Sequence, residues 1–212
     1  MGAPTRWVTD TSEGHSQWYV ERFRRMAAEG ADLGGEARLV DAMVPPGSRI
    51  LDAGCGPGRV AAVLHARGHD VVGIDADAEL IDAARQDHPG PRWIVADLAA
   101  LDLAALDLAA AGVPSTFDAV VMAGNVMTFV APGTETDVLS RVAAHLTADG
   151  VVLVGFGTDR GYPLADFDAH VAATGLVVEH RFATWDLRPW REGAPFAVSI
   201  LRRPAPGHEE RR

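Results

Sequence analysis

Short apolar runs rich in valine, isoleucine and leucine recur along the chain at Ser48–Ala53, Val71–Asp75, Trp93–Asp97, Phe117–Ala123 and Val151–Phe156. They are nearly continuous rather than alternating, the pattern of parallel strands buried on both faces. Helical segments separate them. Val60–Arg67 stops at Gly68, a suitable residue just past a helix end, and Asp77–Gln86 opens on a capping aspartate. Thr134–Leu146 spaces Val138, Val142 and Leu146 as one helix face, and the alanine-rich Leu98–Ala111 reads as a crossover helix. This alternation predicts an α/β fold with helices on both faces of a mostly parallel sheet. The last two runs, Leu176–Trp185 and Phe196–Arg203, have only Asp186–Pro195 between them, so they complete a seven-stranded sheet as an antiparallel hairpin. Ahead of the first strand, Gly14–Val44 is mostly helical and broken near Gly30–Gly35.

Composition narrows the chemistry. The 212 residues are 48% hydrophobic and 23% charged, as in ordinary globular domains. All 19 basic residues are arginine. Without lysine there is no Schiff base, no pyridoxal-phosphate enzyme and no P-loop NTPase. Against 29 acidic side chains the formal net charge is −10, which argues against a nucleic-acid partner. A lone cysteine, Cys55, fits a reducing compartment. No apolar run approaches the roughly 20 residues of a membrane helix, and the amino end lacks the apolar core of a signal peptide. The expectation is a cytoplasmic protein with no membrane partner.

The chemistry concentrates at Leu51–Gly58, LDAGCGPG, where a strand runs directly into closely spaced glycines and then a helix. Glycines let the backbone turn sharply and approach a ligand, and the helix start offers unpaired N–H groups. A dinucleotide fingerprint, GxGxxG, would need a third glycine where Arg59 stands. That substitution disfavours a nicotinamide-dependent oxidoreductase. Cys55, wedged between glycines, reads as a small buried residue, and His65 with His69 lacks a third ligand, so no metal is expected.

Asp52-Ala53-Gly54-Cys55-Gly56-Pro57-Gly58 resembles the first motif of the class I S-adenosylmethionine-dependent methyltransferases, and the resemblance extends over residues 34–203. It implies a Rossmann-like sheet, S-adenosyl-L-methionine as cofactor, and donor contacts from Asp52, Gly54, Gly56 and Gly58. Asp75 and the following Ala76 would take the ribose, Asp75 accepting from both hydroxyls. Asp97 would accept from the adenine amino group, with the Leu98 N–H beside the ring. Ala123 and Asn125 would mark the end of the fourth strand, where donor and acceptor meet. The fourth strand does not end in [DN]PP[YFW], the form used on amino groups of bases and of glutamine, so a small-molecule acceptor is expected. Residues 1–33 read as a helical cap, residues 34–203 as the methyltransferase domain and residues 204–212 as a flexible tail. A non-catalytic module that binds S-adenosylmethionine or S-adenosylhomocysteine is the alternative, because no catalytic group is compelled.

In that family the acceptor is chosen by additions at the carboxyl ends of the strands. Trp18 and Tyr19, with Phe23 and Met26, would close over the donor and exclude water. His15, Arg24, Tyr162, Arg188 and Trp190 are the candidate acceptor contacts, His15 also being a histidine to test as a base. The arginines in the amino-terminal segment and the hairpin loop, Arg22, Arg24, Arg25, Arg188 and Arg191, suggest a cationic mouth and an anionic or polar acceptor.

Overall fold

The computed structural model describes residues 3–101 and 114–204. Three helices come first: α1 (Arg6–Thr9), α2 (His15–Ala28) and α3 (Gly35–Met43). The body follows as β1 (Arg49–Ala53), α4 (Arg59–Ala66), β2 (Asp70–Asp75), α5 (Ala78–Asp87), β3 (Arg92–Val95) and a 3-10 turn at Leu98–Ala100. It continues with β4 (Phe117–Met122), α6 (Val126–Phe129), α7 (Glu135–Ala144), β5 (Leu146–Gly157), α8 (Leu164–Ala173), β6 (Val177–Phe182) and β7 (Phe196–Arg202). Of the expected crossover helix, residues 98–101 are described and hold the 3-10 turn; residues 102–111, and the tail beyond Pro204, lie outside the described residues.

The sheet has seven strands in the order β3-β2-β1-β4-β5-β7-β6. β1 to β5 are parallel, and β7 runs antiparallel between β5 and β6. Successive side chains of a strand point to opposite faces, and both faces are covered. On one face Leu51, Val120, Met122, Val152 and Val154 pack with Val138 and Leu139 of α7 and Phe167 of α8. On the other, Ile50, Ala119, Val121, Val151 and Leu153 pack with Leu39 of α3, Leu64 of α4 and Ile81 of α5. Burial on both sides is why these runs are continuously apolar.

Three departures from the sequence pattern have physical reasons. β6 ends at Phe182 instead of reaching Trp185, because the chain turns at Leu187 with φ 66° and Phe182 bridges back to Pro189. α8 buries only Phe167 and Val171, a stripe too short to stand out among the alanines. Helix α7 stops at Ala144, and Leu146 starts β5 with its side chain in the core.

Candidate functional site

Parallel strands that alternate with helices leave a crevice at their carboxyl ends where the order reverses, here between β1 and β4. A cleft with about 910 Å³ of empty space, part of it open to solvent, lies there. Its floor is the loop after β1. Gly54 turns with φ 77°, and a Cβ on it would meet the Val126 side chain at 2.4 Å, so only glycine fits. Gly58 (φ 87°) lies against the Trp93 ring, which a Cβ would meet at 2.5 Å. Gly58 therefore serves helix-to-sheet packing, and it is not among the cleft residues.

Carboxylates at the strand ends line one side. Asp75 accepts from Gly56 N at 2.8 Å and from Asp77 N at 3.0 Å, which ties the β1 loop to the β2 loop. Burial pushes its carboxyl up despite these bonds. Asp52, 1% exposed, accepts from Ala61 N at 3.0 Å, and burial drives its carboxyl up to about 7. Asp97 stands just past β3 and caps the 3-10 turn through Ala99 N at 3.0 Å. Arg59, the first residue of α4, is fork-paired with Glu36 of α3, donates to Leu33 O at 3.1 Å and lies 5.3 Å over the Phe23 ring.

The roof comes from the amino-terminal segment. Tyr19 reaches from the glycine loop to the end of β4: a Cβ on Gly56 would lie 3.5 Å from its Cε1, and one on Gly124 3.7 Å from its hydroxyl. Burial raises the phenol above its usual range, so it stays protonated at neutral pH. Trp7 packs edge-on against Tyr19 and Phe129, both with centroids at 5.3 Å. One aspartate fastens this roof. Asp77 caps α5 through Glu79 N at 2.9 Å while accepting from Trp7 Nε1 at 2.8 Å and from the Ser16 hydroxyl. Burial pushes its carboxyl up, but these bonds outweigh that and hold it below the usual range.

Comparison with known proteins decides the family. A profile described as a methyltransferase domain matches residues 50–150. The crystal structure of a TehB-like SAM-dependent methyltransferase from Corynebacterium glutamicum is 42% identical, covers 91% of this chain and 100% of its own, and superposes with a TM-score of 0.83. The chain belongs to the S-adenosylmethionine-dependent methyltransferases. Among curated relatives, the trans-aconitate 2-methyltransferase of Paracidovorax citrulli is 26% identical over 188 residues, 88% of this chain but 63% of that protein. The CcbJ methyltransferase of Streptomyces caelestis shares the fold at 17% identity and TM-score 0.70, covering 82% of this chain and 95% of its own.

In this methyltransferase the cleft gathers many of the residues expected from sequence: Asp52, Gly54, Gly56, Asp75, Ala76, Asp97, Leu98, Ala123 and Tyr19. Others lie elsewhere. Asn125 turns with φ 70°, and its side-chain oxygen accepts from Gly157 N at 2.8 Å, which joins the ends of β4 and β5. Trp18 is 51% exposed on the outer face of α2, under the Arg22 guanidinium. His15 is edge-on to Trp7 behind the roof, centroids 4.8 Å apart. Tyr162 is in the core, hydrogen-bonded to His170 Nδ1 at 2.7 Å. Arg24 is paired with Asp87 on the surface and Arg188 with Asp186. Trp190 lies beside Arg181, whose guanidinium is 5.8 Å from its ring centroid. None of Arg22, Arg24, Arg25, Arg188 and Arg191, the arginines expected at a cationic mouth, lines the cleft. The cleft residues that sequence reasoning missed are Thr5, Trp7 and Val8 at α1, and Phe129 and Val130 at α6. Both helices span only four residues, too few for a periodic signal.

Proposed function

We propose that this chain transfers a methyl group from S-adenosylmethionine to a small-molecule acceptor by in-line displacement. One observation carries the reading: a single cleft brings together the Gly54–Gly56 loop, the Asp75 carboxylate, Asp97 with Leu98, and the end of β4 at Ala123. The cradle suits an elongated nucleoside with a cationic end. Gly56 leaves open backbone beneath Tyr19, Asp75 and Asp97 offer acceptors at separate strand ends, and Asp52 supplies a buried carboxylate deeper in the cleft.

When bound, the donor supplies a methyl group already activated on a sulfonium. The protein's part is then to hold and to shield. Asp75 and Ala76 would take the ribose, Asp97 and Leu98 the adenine edge, and Asp52 with the glycine loop the amino-acid end. Tyr19, Phe23 and Trp7 exclude water from above. Held in line by these residues, the acceptor's lone pair would displace sulfur from the methyl carbon, the bond's electron pair returning to sulfur and the acceptor proton passing to water. The protein's main contribution is alignment, and well-oriented positioning can supply up to roughly 7–11 kcal/mol of a barrier.

A small acceptor is supported by the modest cleft and by relatives named for trans-aconitate and magnesium-protoporphyrin. No helix among the described residues is long and apolar enough to cross a membrane. Titration calorimetry with S-adenosylhomocysteine should give saturable one-site binding; no heat with either the product or the donor refutes the proposal.

A further inference from the structure

We infer that the acceptor is a small, uncharged and largely apolar molecule. The inference rests on the proposed methyl transfer and deepens it. The wall beyond Ala123 and Gly124 is formed by Thr5, Trp7, Val8, Val126, Phe129 and Val130. None of these side chains ionises. Trp7, set edge-on against both Phe129 and Tyr19, makes the wall stiff as well as apolar.

The charges that line the cleft disfavour an anion. They are the carboxylates of Asp52, Asp75, Asp77 and Asp97 against the single guanidinium of Arg59, already neutralised by Glu36. The arginines nearest the mouth are turned away or paired. Arg22 is stacked between the Trp18 and Phe23 rings and does not line the cleft, Arg24 binds Asp87, and Arg6 faces Glu135 at 3.8 Å. Recognition of a carboxylate or phosphate uses a free arginine fork, and no cleft-lining residue among those described offers one. An anion pressed against this wall would be desolvated with no free cation beside it. A cationic acceptor fails for another reason. It would stand against side chains that do not ionise, the cleft's carboxylates being assigned to the donor or, for Asp77, engaged by Trp7, Ser16 and the start of α5, and a protonated amine would have no base among the wall residues to take its proton.

The test uses acceptors matched in nucleophile and shape but not in charge. Phenylmethanethiol, 4-(mercaptomethyl)benzoate and the 4-trimethylammonio analogue form one set, and the correspondingly substituted phenols and anilines two more. Methylated product is read by mass spectrometry with the full chain and S-adenosylmethionine, and S-adenosylhomocysteine affinity is measured on the same sample. In every set that reacts the uncharged member should exceed both charged members by about tenfold or more, because a charge at this wall is desolvated without a partner. Val8→Arg, which places a cation in the wall, should narrow the gap between the benzoate and its neutral partner. The inference is overturned if a charged member is as fast as its neutral counterpart. It is equally overturned if no uncharged member reacts while S-adenosylhomocysteine binds. Loss of S-adenosylhomocysteine binding itself refutes the underlying methyl-transfer reading instead, and this inference with it.

Discussion

Asp52 allows a sharp test of the site's electrostatics, because its side chain is enclosed and burial has moved it from an ordinary 3.8 up to about 7. A carboxyl raised on folding stabilises the native state fully while it stays protonated, below pH 3.8. That contribution drains away as the pH climbs towards about 7, since the unfolded chain releases the proton first. The size follows from the two values. Relative to a side chain that never ionises, Asp52 costs the fold about 2 kcal/mol near pH 5.5 and about 4 kcal/mol near pH 8. Asp52→Asn imitates the protonated form and keeps an oxygen for the Ala61 N–H. Urea denaturation of both proteins without ligand should show the variant ahead at both pH values, with the gap about 2 kcal/mol wider near pH 8. The difference of differences cancels the titrating groups remote from Asp52. A gap constant to within about 0.5 kcal/mol would refute a buried, proton-retaining Asp52.

Asp75→Ala should weaken S-adenosylhomocysteine binding by about 1.5–3 kcal/mol by calorimetry, the scale of hydrogen bonds to a charged group; unchanged affinity removes Asp75 from the ribose role. Gly58→Ala should destabilise by about 2–4 kcal/mol in denaturant, combining left-handed strain with displacement of Trp93. A loss under about 1 kcal/mol would show that the ring yields. Asp77→Ala should speed amide exchange across Thr5–Tyr19 and at the start of α5, where a lost cap costs about 1 kcal/mol. β1 and β4 should exchange as before; uniform exchange changes would deny Asp77 its role as the fastening of the roof.

The strand run was readable because the physics that buries it is local. Valines and isoleucines at consecutive positions mean two covered faces, and LDAGCGPG announces a loop that only glycines can follow. Asp75 could be placed in the cleft because the end of a strand fixes where the next side chain emerges. The arginines could not be placed that way. Tyr19 and Phe23 are one turn apart on α2 and both line the cleft, while Trp18, Arg22 and Arg24 share that helix but do not line it. Proximity in sequence put them all at the mouth; the helix surface separates them. Trp7 was invisible for the opposite reason. It sits on a four-residue helix whose place is set by a hydrogen bond to Asp77, 70 positions away. Asn125 has the chemistry of a ligand contact, but Gly157 N takes its oxygen, a partner that only the β4–β5 pairing brings near.

Asp77 also bears on how the protein should be handled. Its carboxylate joins the roof to α5 two residues after Asp75, so a disturbance of the amino-terminal segment at Trp7 or Ser16 is passed towards the floor of the cleft. A fusion partner or affinity tag attached ahead of Thr5 is therefore poorly placed for assays of cofactor affinity. β7 runs antiparallel to β5 and delivers the chain, at Leu201 beside Val152, to the sheet edge opposite the cleft. A handle attached beyond that strand leaves Asp77 and the residues it fastens undisturbed.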